Sequence, residues 1–165
     1  MSLVLALVIA LQAQPQFSDR ALYNRILDQT RPAERIPLAL EFEKTFPQST
    51  LITDVYELLM DDYTARNDTV KALEYGEKAL KVKPENLRVL VAVSYRLAVA
   101  GRDLDRATSY AQRAIKVADR MKNQAPPPSY TRESWVEFVS RNRASAEGTL
   151  KYIREIPAGL LRRRP

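Results

Sequence analysis

The residues of this chain that could do chemistry are mainly carboxylates, because it contains no histidine and no cysteine. It therefore has no imidazole base, no thiolate nucleophile, no disulfide and no conventional zinc site. Adjacent Asp61 and Asp62 suggest a metal site, but neighbouring side chains on a helix diverge by about 100° and cannot easily share one ion. Glycine-rich phosphate loops and G-x-S-x-G motifs are absent from the sequence. We expect no catalytic site, no metal and no cofactor.

The composition of the chain is typical of one globular helical domain, whose helices must position these residues. The chain has 165 residues, of which 45% are hydrophobic and 28% are charged, and this balance can support a core. It has only four glycines and no Asn-Gly or Asp-Gly hairpin signal, while Ala, Leu, Glu, Lys and Arg are abundant. These residues favour helices over strands, so the sequence predicts an all-α protein.

Two stretches of the sequence repeat with a regular spacing. Residues separated by 34 positions correspond in the first helix of each repeat: Tyr56, Leu59, Met60 and Tyr63 match Leu90, Val93, Ser94 and Leu97. The second helix repeats at a spacing of 35: Ala72, Ala79, Leu80, Lys81 and Val82 match Ala107, Ala114, Ile115, Lys116 and Val117. The extra residue falls between Gly101 and Ala107, in a turn, where an insertion costs little.

These residues resemble the tetratricopeptide repeat (TPR) family, whose pattern is W-x2-L-G-x2-Y, then A-x3-F, then a closing proline. One unit reads Tyr56-x2-Leu59-Met60-x2-Tyr63, Ala72-x3-Gly76, Ala79 and Pro84; the next reads Leu90-x2-Val93-Ser94-x2-Leu97, Ala107-x3-Ala111 and Ala114. Met60 replaces the glycine of the pattern, Gly76 replaces its aromatic residue, and the second unit lacks the proline. The resemblance, which extends to exported bacterial TPR proteins, implies a right-handed superhelical stack of antiparallel helix pairs.

We expect three units and a closing helix between residues 17 and 156. The units cover about 18–47, 53–86 and 87–121, with Ser18 as a helix cap and Pro84 as a helix end. Small residues of the second helix (Ala72, Gly76, Ala79) are expected to receive large residues of the first (Tyr56, Leu59, Tyr63). A degenerate helix over 131–156 is expected to cap the stack with one inward face: Trp135, Phe138, Val139, Asn142, Ala146, Leu150 and Ile153.

The resemblance implies binding of a protein or peptide on a groove lined by the first helices. The candidate groove residues are those left on the open side of these helices: Asp54, Glu57, Asp61 and Thr64, and 34 positions later Arg88, Val91, Tyr95 and Ala98. This surface could hold a peptide with a basic residue near Asp61 and an apolar one near Tyr95. Plain solvent exposure also accounts for it. The Lys and Asn residues by which chaperone-binding members clamp a carboxylate are missing from these positions.

The net charge of +6 is concentrated at the end of the chain. From Arg132 onward there are eight Lys or Arg against four Glu, and Arg162, Arg163 and Arg164 form a basic tail within 157–165. An alternative function is therefore electrostatic binding of nucleic acid or an anionic membrane surface through this tail together with Arg141, Arg143 and Arg154. A solvated, frayed terminus accounts for the run more simply, and we favour it.

Residues 1–16 resemble a secretory signal. An apolar run over 3–11 precedes small Ala13, but no Lys or Arg stands before it, and the run is too short to cross a bilayer. We expect export to the periplasm or cell envelope, with a cytoplasmic location if this segment instead packs on the first unit. Homo-oligomerisation is a further expectation, since a second copy would cover incompletely capped ends of a short stack.

Overall fold

The computed structural model describes residues 18–156, and every regular element in that range is an α-helix. This observation confirms the all-α prediction. Seven helices follow one another in this part of the chain: α1 (Asp19–Leu27), α2 (Pro32–Thr45), α3 (Ile52–Ala65), α4 (Thr69–Val82), α5 (Leu87–Val99), α6 (Leu104–Met121) and α7 (Arg132–Glu155). Each helix packs on the next, and α7 packs on α5 as well as on α6. The signal-like segment 1–16 and the basic tail 157–165 lie outside the described residues.

Short polar residues start most of these helices. The Ser18 hydroxyl accepts a hydrogen bond from the Ala21 amide at 3.0 Å, which confirms the predicted cap of α1. Side chains of Asp68, Asn86, Asp103 and Thr131 cap four later helices in the same way, so each satisfies an amide that the helix leaves without a partner. The α4 helix ends at Val82, two residues before Pro84, as predicted.

Small residues line the interior of the helix pairs. Ala72 and Ala79 of α4, and Ala107, Ala111 and Ala114 of α6, are completely buried, which allows close approach of the backbones. Gly76 has the tightest surroundings. A Cβ atom at Gly76 would lie 2.5 Å from Val93 Cγ2 and 3.1 Å from Met60 Sδ.

The neighbours of Gly76 differ from the predicted ones. We expected Tyr56, Leu59 and Tyr63 of α3 over Ala72, Gly76 and Ala79, but the atoms nearest to a Cβ at Gly76 belong to Met60 and Val93. The Tyr56 and Tyr63 rings instead face Tyr75, with centroids 6.0 Å and 5.6 Å from its ring. A large residue at 60 therefore compensates for a small one at 76, which reverses the sizes of the TPR pattern at these two positions.

Partly buried polar contacts join α2 to α3 and α4. Asp62 of α3 is almost fully buried and accepts a hydrogen bond from Arg35 Nε of α2 at 2.7 Å. Glu43 of α2 accepts from Lys78 Nζ at 2.8 Å and from the Tyr75 hydroxyl at 3.2 Å. Burial, followed by the Glu43 charge, raises the pKa of Tyr75 well above its ordinary value, so the phenol stays protonated and can donate to Glu43.

Buried residues along both halves of α7 anchor the last helix: Trp135, Val139, Ala146 and Thr149. Trp135 is 4% exposed, its indole Nε1 donates to the Met121 carbonyl at 3.1 Å, and its ring stacks on Phe138. The predicted helix over 131–156 is thus confirmed as α7. Its inward face also includes Thr149, which the sequence analysis did not identify. Among residues 18–156, no helix is both long and apolar enough to cross a membrane.

Candidate partner-binding site

Two of the acidic residues predicted to line the groove, Glu57 and Asp61, are already paired within the protein. Arg88 of α5 reaches back to α3, where its Nε donates to Glu57 Oε2 at 2.9 Å and its Nη1 donates to Asp61 Oδ2 at 2.9 Å. Asn86 Nδ2 donates to the other oxygen of Glu57. Burial lowers the pKa of Arg88, but its bonds to the carboxylates more than reverse this, and the pKa lies above its ordinary value. Asp61 is therefore not a free site for a basic residue of a partner.

Adjacent carboxylates on α3 face different parts of the molecule. Asp61 is exposed and pairs with Arg88, whereas Asp62 is buried and pairs with Arg35. This divergence agrees with the helical geometry expected from the sequence. Within residues 18–156, no three Asp or Glu side chains are grouped closely enough to hold a metal ion.

The other predicted groove residues have different environments. Asp54, Thr64 and Tyr95 are exposed, and Val91 is half-buried. Ala98, however, is completely buried, so its assignment to the open side of α5 is wrong. The residue that reaches the surface at that end of α5 is Val99, because one step along a helix turns the side chain by about 100°.

An open apolar cleft lies between α5 and α7. It has a volume of about 460 Å³, and its lining comes from two stripes of residues at helical spacing: Val91, Ala92, Tyr95 and Val99 on α5, and Ser145, Gly148, Thr149 and Tyr152 on α7. Tyr95, Val99 and Tyr152 are 54%, 45% and 44% exposed. Each stripe covers about two turns, so the cleft is roughly 12 Å long.

The Ser145 and Thr149 hydroxyls in the cleft bond to their own helix. Ser145 Oγ donates to the Arg141 carbonyl at 3.0 Å, and Thr149 Oγ1 donates to the Ser145 carbonyl at 3.1 Å. Because these hydroxyls have backbone partners one turn away, the wall formed by α7 offers mainly carbon to a ligand. The two tyrosines add large rings with a polar tip.

Gly148 keeps the centre of the α7 wall open. A Cβ atom at this position would meet no other atom within 4 Å, so packing does not require a glycine there. Glycine in the middle of a helix costs about 0.5–1 kcal/mol relative to alanine. Glycine at position 148 therefore makes α7 less stable than alanine would, and it leaves the cleft wider.

A cation without a carboxylate partner lies next to the cleft on α5. Arg96 donates to the Ala92 carbonyl at 2.9 Å and to the Thr64 hydroxyl at 2.6 Å. Across the part of the chain that the structure describes, no carboxylate lies within ion-pair distance of it. Burial lowers the pKa of Arg96, and the charge of nearby Asp61 only partly offsets this lowering.

Charge is divided unequally along the chain. Residues 18–86 contain ten Lys or Arg and thirteen Asp or Glu, whereas residues 87–156 contain thirteen and seven. The helices that form the cleft belong to this second, basic part. Both helices that form the cleft therefore come from the part of the chain that carries a net positive charge.

The basic residues of the alternative function are partly engaged. Arg143 lies between Asp119 and Glu147, and its Nε donates to Asp119 at 2.8 Å. Arg141 is 3.8 Å from Glu137, and Arg154 donates to the Leu150 carbonyl at 3.3 Å. Arg162, Arg163 and Arg164 lie outside the described residues. Of these three arginines, Arg141 and Arg143 lie beside carboxylates, whereas the acceptor of Arg154 is a neutral carbonyl.

Comparison with known proteins gives no relative from which a function could be transferred. No known protein family matches the chain, and no curated protein is significantly similar to it. The candidate site therefore depends on its own geometry. Of the predicted groove residues, the structure brings Val91 and Tyr95 to the cleft, and it adds residues of α7 that sequence reasoning missed. The glycine at 148 and the tyrosine four residues later were the available signals.

Proposed function

We propose that this protein is a non-catalytic binding module of the TPR type, and that it holds a segment of another protein in the cleft between α5 and α7. The observation that carries the proposal is the cleft itself, which exposes three large apolar or aromatic side chains and a glycine that packing does not require. Contiguous exposed apolar surface in a globular protein marks interaction sites.

The arrangement of the helices supports the assignment to TPR-type stacks. The helices pack in sequence, alanines at corresponding positions are buried, and α7 contacts both α5 and α6. These observations agree with a series of antiparallel helix pairs in which α7 is the first helix of an additional, incomplete pair. In such a stack, α3, α5 and α7 form the inner surface of a right-handed superhelix. Tyr95 and Tyr152 would then face a bound segment, and tyrosine is enriched among residues that dominate binding energy.

Site-specific photocrosslinking in the cell that expresses the protein tests this function. A photoreactive benzoylphenylalanine in place of Tyr152 should give discrete adducts with a partner protein. The matched control is the same residue in place of Val82 on α4, which is 54% exposed and lies outside the cleft. The adducts from position 152 should disappear when Gly148→Leu fills the cleft. Identical adducts from positions 82 and 152, or adducts that persist with Gly148→Leu, would show that the cleft is not the binding site.

A further inference from the structure

The geometry points to the chemistry of the partner: we propose that the cleft receives an apolar side chain of an acidic segment, and that a carboxylate near this side chain in the segment binds Arg96. This inference depends on the proposed function and specifies its ligand. It concerns a different contact from the one expected from the sequence, in which a basic residue of the partner was to bind Asp61.

The size and lining of the cleft set the apolar part of this ligand. A volume of about 460 Å³ and a wall whose Ser145 and Thr149 hydroxyls already donate to backbone carbonyls suit one or two large aliphatic or aromatic side chains. A Cβ at Gly148 would touch nothing within 4 Å, so the space beside this residue is open to such a side chain. A segment that placed a polar group there would lose solvation without gaining a hydrogen bond.

Arg96 sets the charged part of the ligand. Arg96 directly follows Tyr95 on α5, so the two side chains point in different directions. The Arg96 side chain points toward α3, and the Tyr95 side chain points into the cleft. The two side chains start from adjacent residues of α5, so a ligand that extended from Tyr95 across α5 toward α3 would reach the guanidinium. A carboxylate is the group that would complete the bonding of this cation, since its present acceptors are a carbonyl and a hydroxyl.

The net charge of residues 87–156, which contain both helices of the cleft, favours the same partner. Residues 87–156 hold six more cations than anions, and this excess attracts an acidic segment and speeds its association. The same excess disfavours the chain's own basic tail at 157–165 as the occupant. A second copy could offer its acidic residues between 18 and 86, and the experiment separates that occupant from a foreign segment.

Selection of peptides by messenger-RNA display on the full chain tests the inference. Short random peptides are selected in parallel on the wild-type protein and on Gly148→Leu. We expect the wild type to enrich peptides in which Leu, Ile, Phe or Tyr stands within a few residues of Asp or Glu, and the variant not to enrich them. The best peptide is then synthesised with a fluorophore for anisotropy measurements, together with a copy whose acidic residue is changed to its amide.

A double-mutant comparison isolates the contact with Arg96. Arg96→Gln should weaken binding of the acidic peptide about fivefold, and Arg96→Lys should restore part of this loss. The amide peptide should bind the wild type about fivefold more weakly, yet bind Arg96→Gln no worse than the acidic peptide does. Arg120→Gln is the matched control, because this exposed arginine of α6 pairs with Glu85 away from the cleft, and it should leave the affinity unchanged.

The outcomes distinguish this inference from the function on which it rests. Two outcomes would contradict the acidic ligand while the cleft remains a binding site. In the first, the enriched peptides require an open Gly148 but are basic or uncharged. In the second, changing the peptide's acidic residue to its amide weakens binding to Arg96→Gln as much as it weakens binding to the wild type. If the same peptides are enriched on Gly148→Leu, or none is enriched on either protein, both proposals are contradicted. Sedimentation of the wild type as a dimer that Gly148→Leu converts to a monomer would identify a second copy as the occupant and overturn the foreign acidic segment.

Discussion

Two glycines in the middle of helices, Gly76 on α4 and Gly148 on α7, have opposite surroundings. At Gly76 an added methyl group would collide with Val93 and press on Met60, whereas at Gly148 it would touch nothing. The first glycine is required because two neighbouring helices occupy its space. The second leaves space that no residue within 18–156 fills. The comparison shows that the same residue type marks a closely packed contact in one region and an accessible cleft in another.

Removing the buried carboxylate of the packed region should have the largest effect. Asp62→Ala deletes the partner of Arg35 inside the contact between α2 and α3, and we expect it to lower the free energy of unfolding by about 3 kcal/mol. The control is the neighbouring Asp61→Ala, which removes an exposed pair and should cost about 0.5 kcal/mol. Urea unfolding monitored by circular dichroism measures both. Equal losses in the free energy of unfolding for Asp62→Ala and Asp61→Ala would mean that Asp62 is not more buried than Asp61 in solution.

Adding one methyl group to the packed glycine should have the next largest effect. Gly76→Ala places a Cβ within 2.5 Å of Val93 Cγ2, and overpacking of this kind typically costs about 1–3 kcal/mol. Val93→Ala in the same protein should recover part of this loss by removing the colliding atom, although Val93→Ala alone is destabilising. Urea denaturation of the wild type, Gly76→Ala, Val93→Ala and the double variant gives the coupling free energy between positions 76 and 93. A fully additive result would contradict the contact between residues 76 and 93.

The identical change at the second glycine should have the opposite sign. Gly148→Ala meets no steric obstacle and replaces a poor helix former, so it should raise the free energy of unfolding by about 0.5–1 kcal/mol. Thermal unfolding would show this as a rise of a few degrees in Tm. A fall in Tm would mean that the wall of the cleft is closed in solution, and the comparison between the two glycines would no longer hold.

The smallest effect on stability is expected at the rim of the cleft. Val99 and Val82 are the last residues of α5 and α4 and are 45% and 54% exposed. Val99→Asp and Val82→Asp should therefore carry the same small penalty, about 0.5 kcal/mol, from a negative charge at a helix C-terminus. Binding separates them, because only Val99→Asp should abolish capture of the acidic peptide. Equal binding by both variants would exclude Val99 from the site.

Local sequence signals were enough to predict the helices and their packed faces. Ser18 marks a helix start, Pro84 stands just beyond a helix end, and the alanines at 72, 79, 107 and 114 are buried as their spacing indicates. These features depend on hydrogen bonds and steric limits within a few residues along the chain. In the sequence, the large Met60 and the small Gly76 were two separate departures from the TPR pattern. Only the structure shows that these two residues are neighbours.

The candidate site was less predictable because its contacts join distant parts of the chain. Arg88 neutralises Glu57 and Asp61, which precede it by 31 and 27 residues. The cleft requires α7 to return to α5 after a proline-rich connection, and no local pattern states which helix α7 will meet. Ala98 was misplaced for a simpler reason, since an error of one residue at the end of a helix turns the side chain from the surface into the core.

The position of Trp135 makes the cleft observable by spectroscopy. This residue is the only tryptophan of the chain, and its indole is held by the Met121 carbonyl at the point where α7 docks on α6. If α7 detached, the indole would enter water and its emission would shift to longer wavelength. The native fluorescence therefore reports whether the α7 wall of the cleft is in place, without any added label.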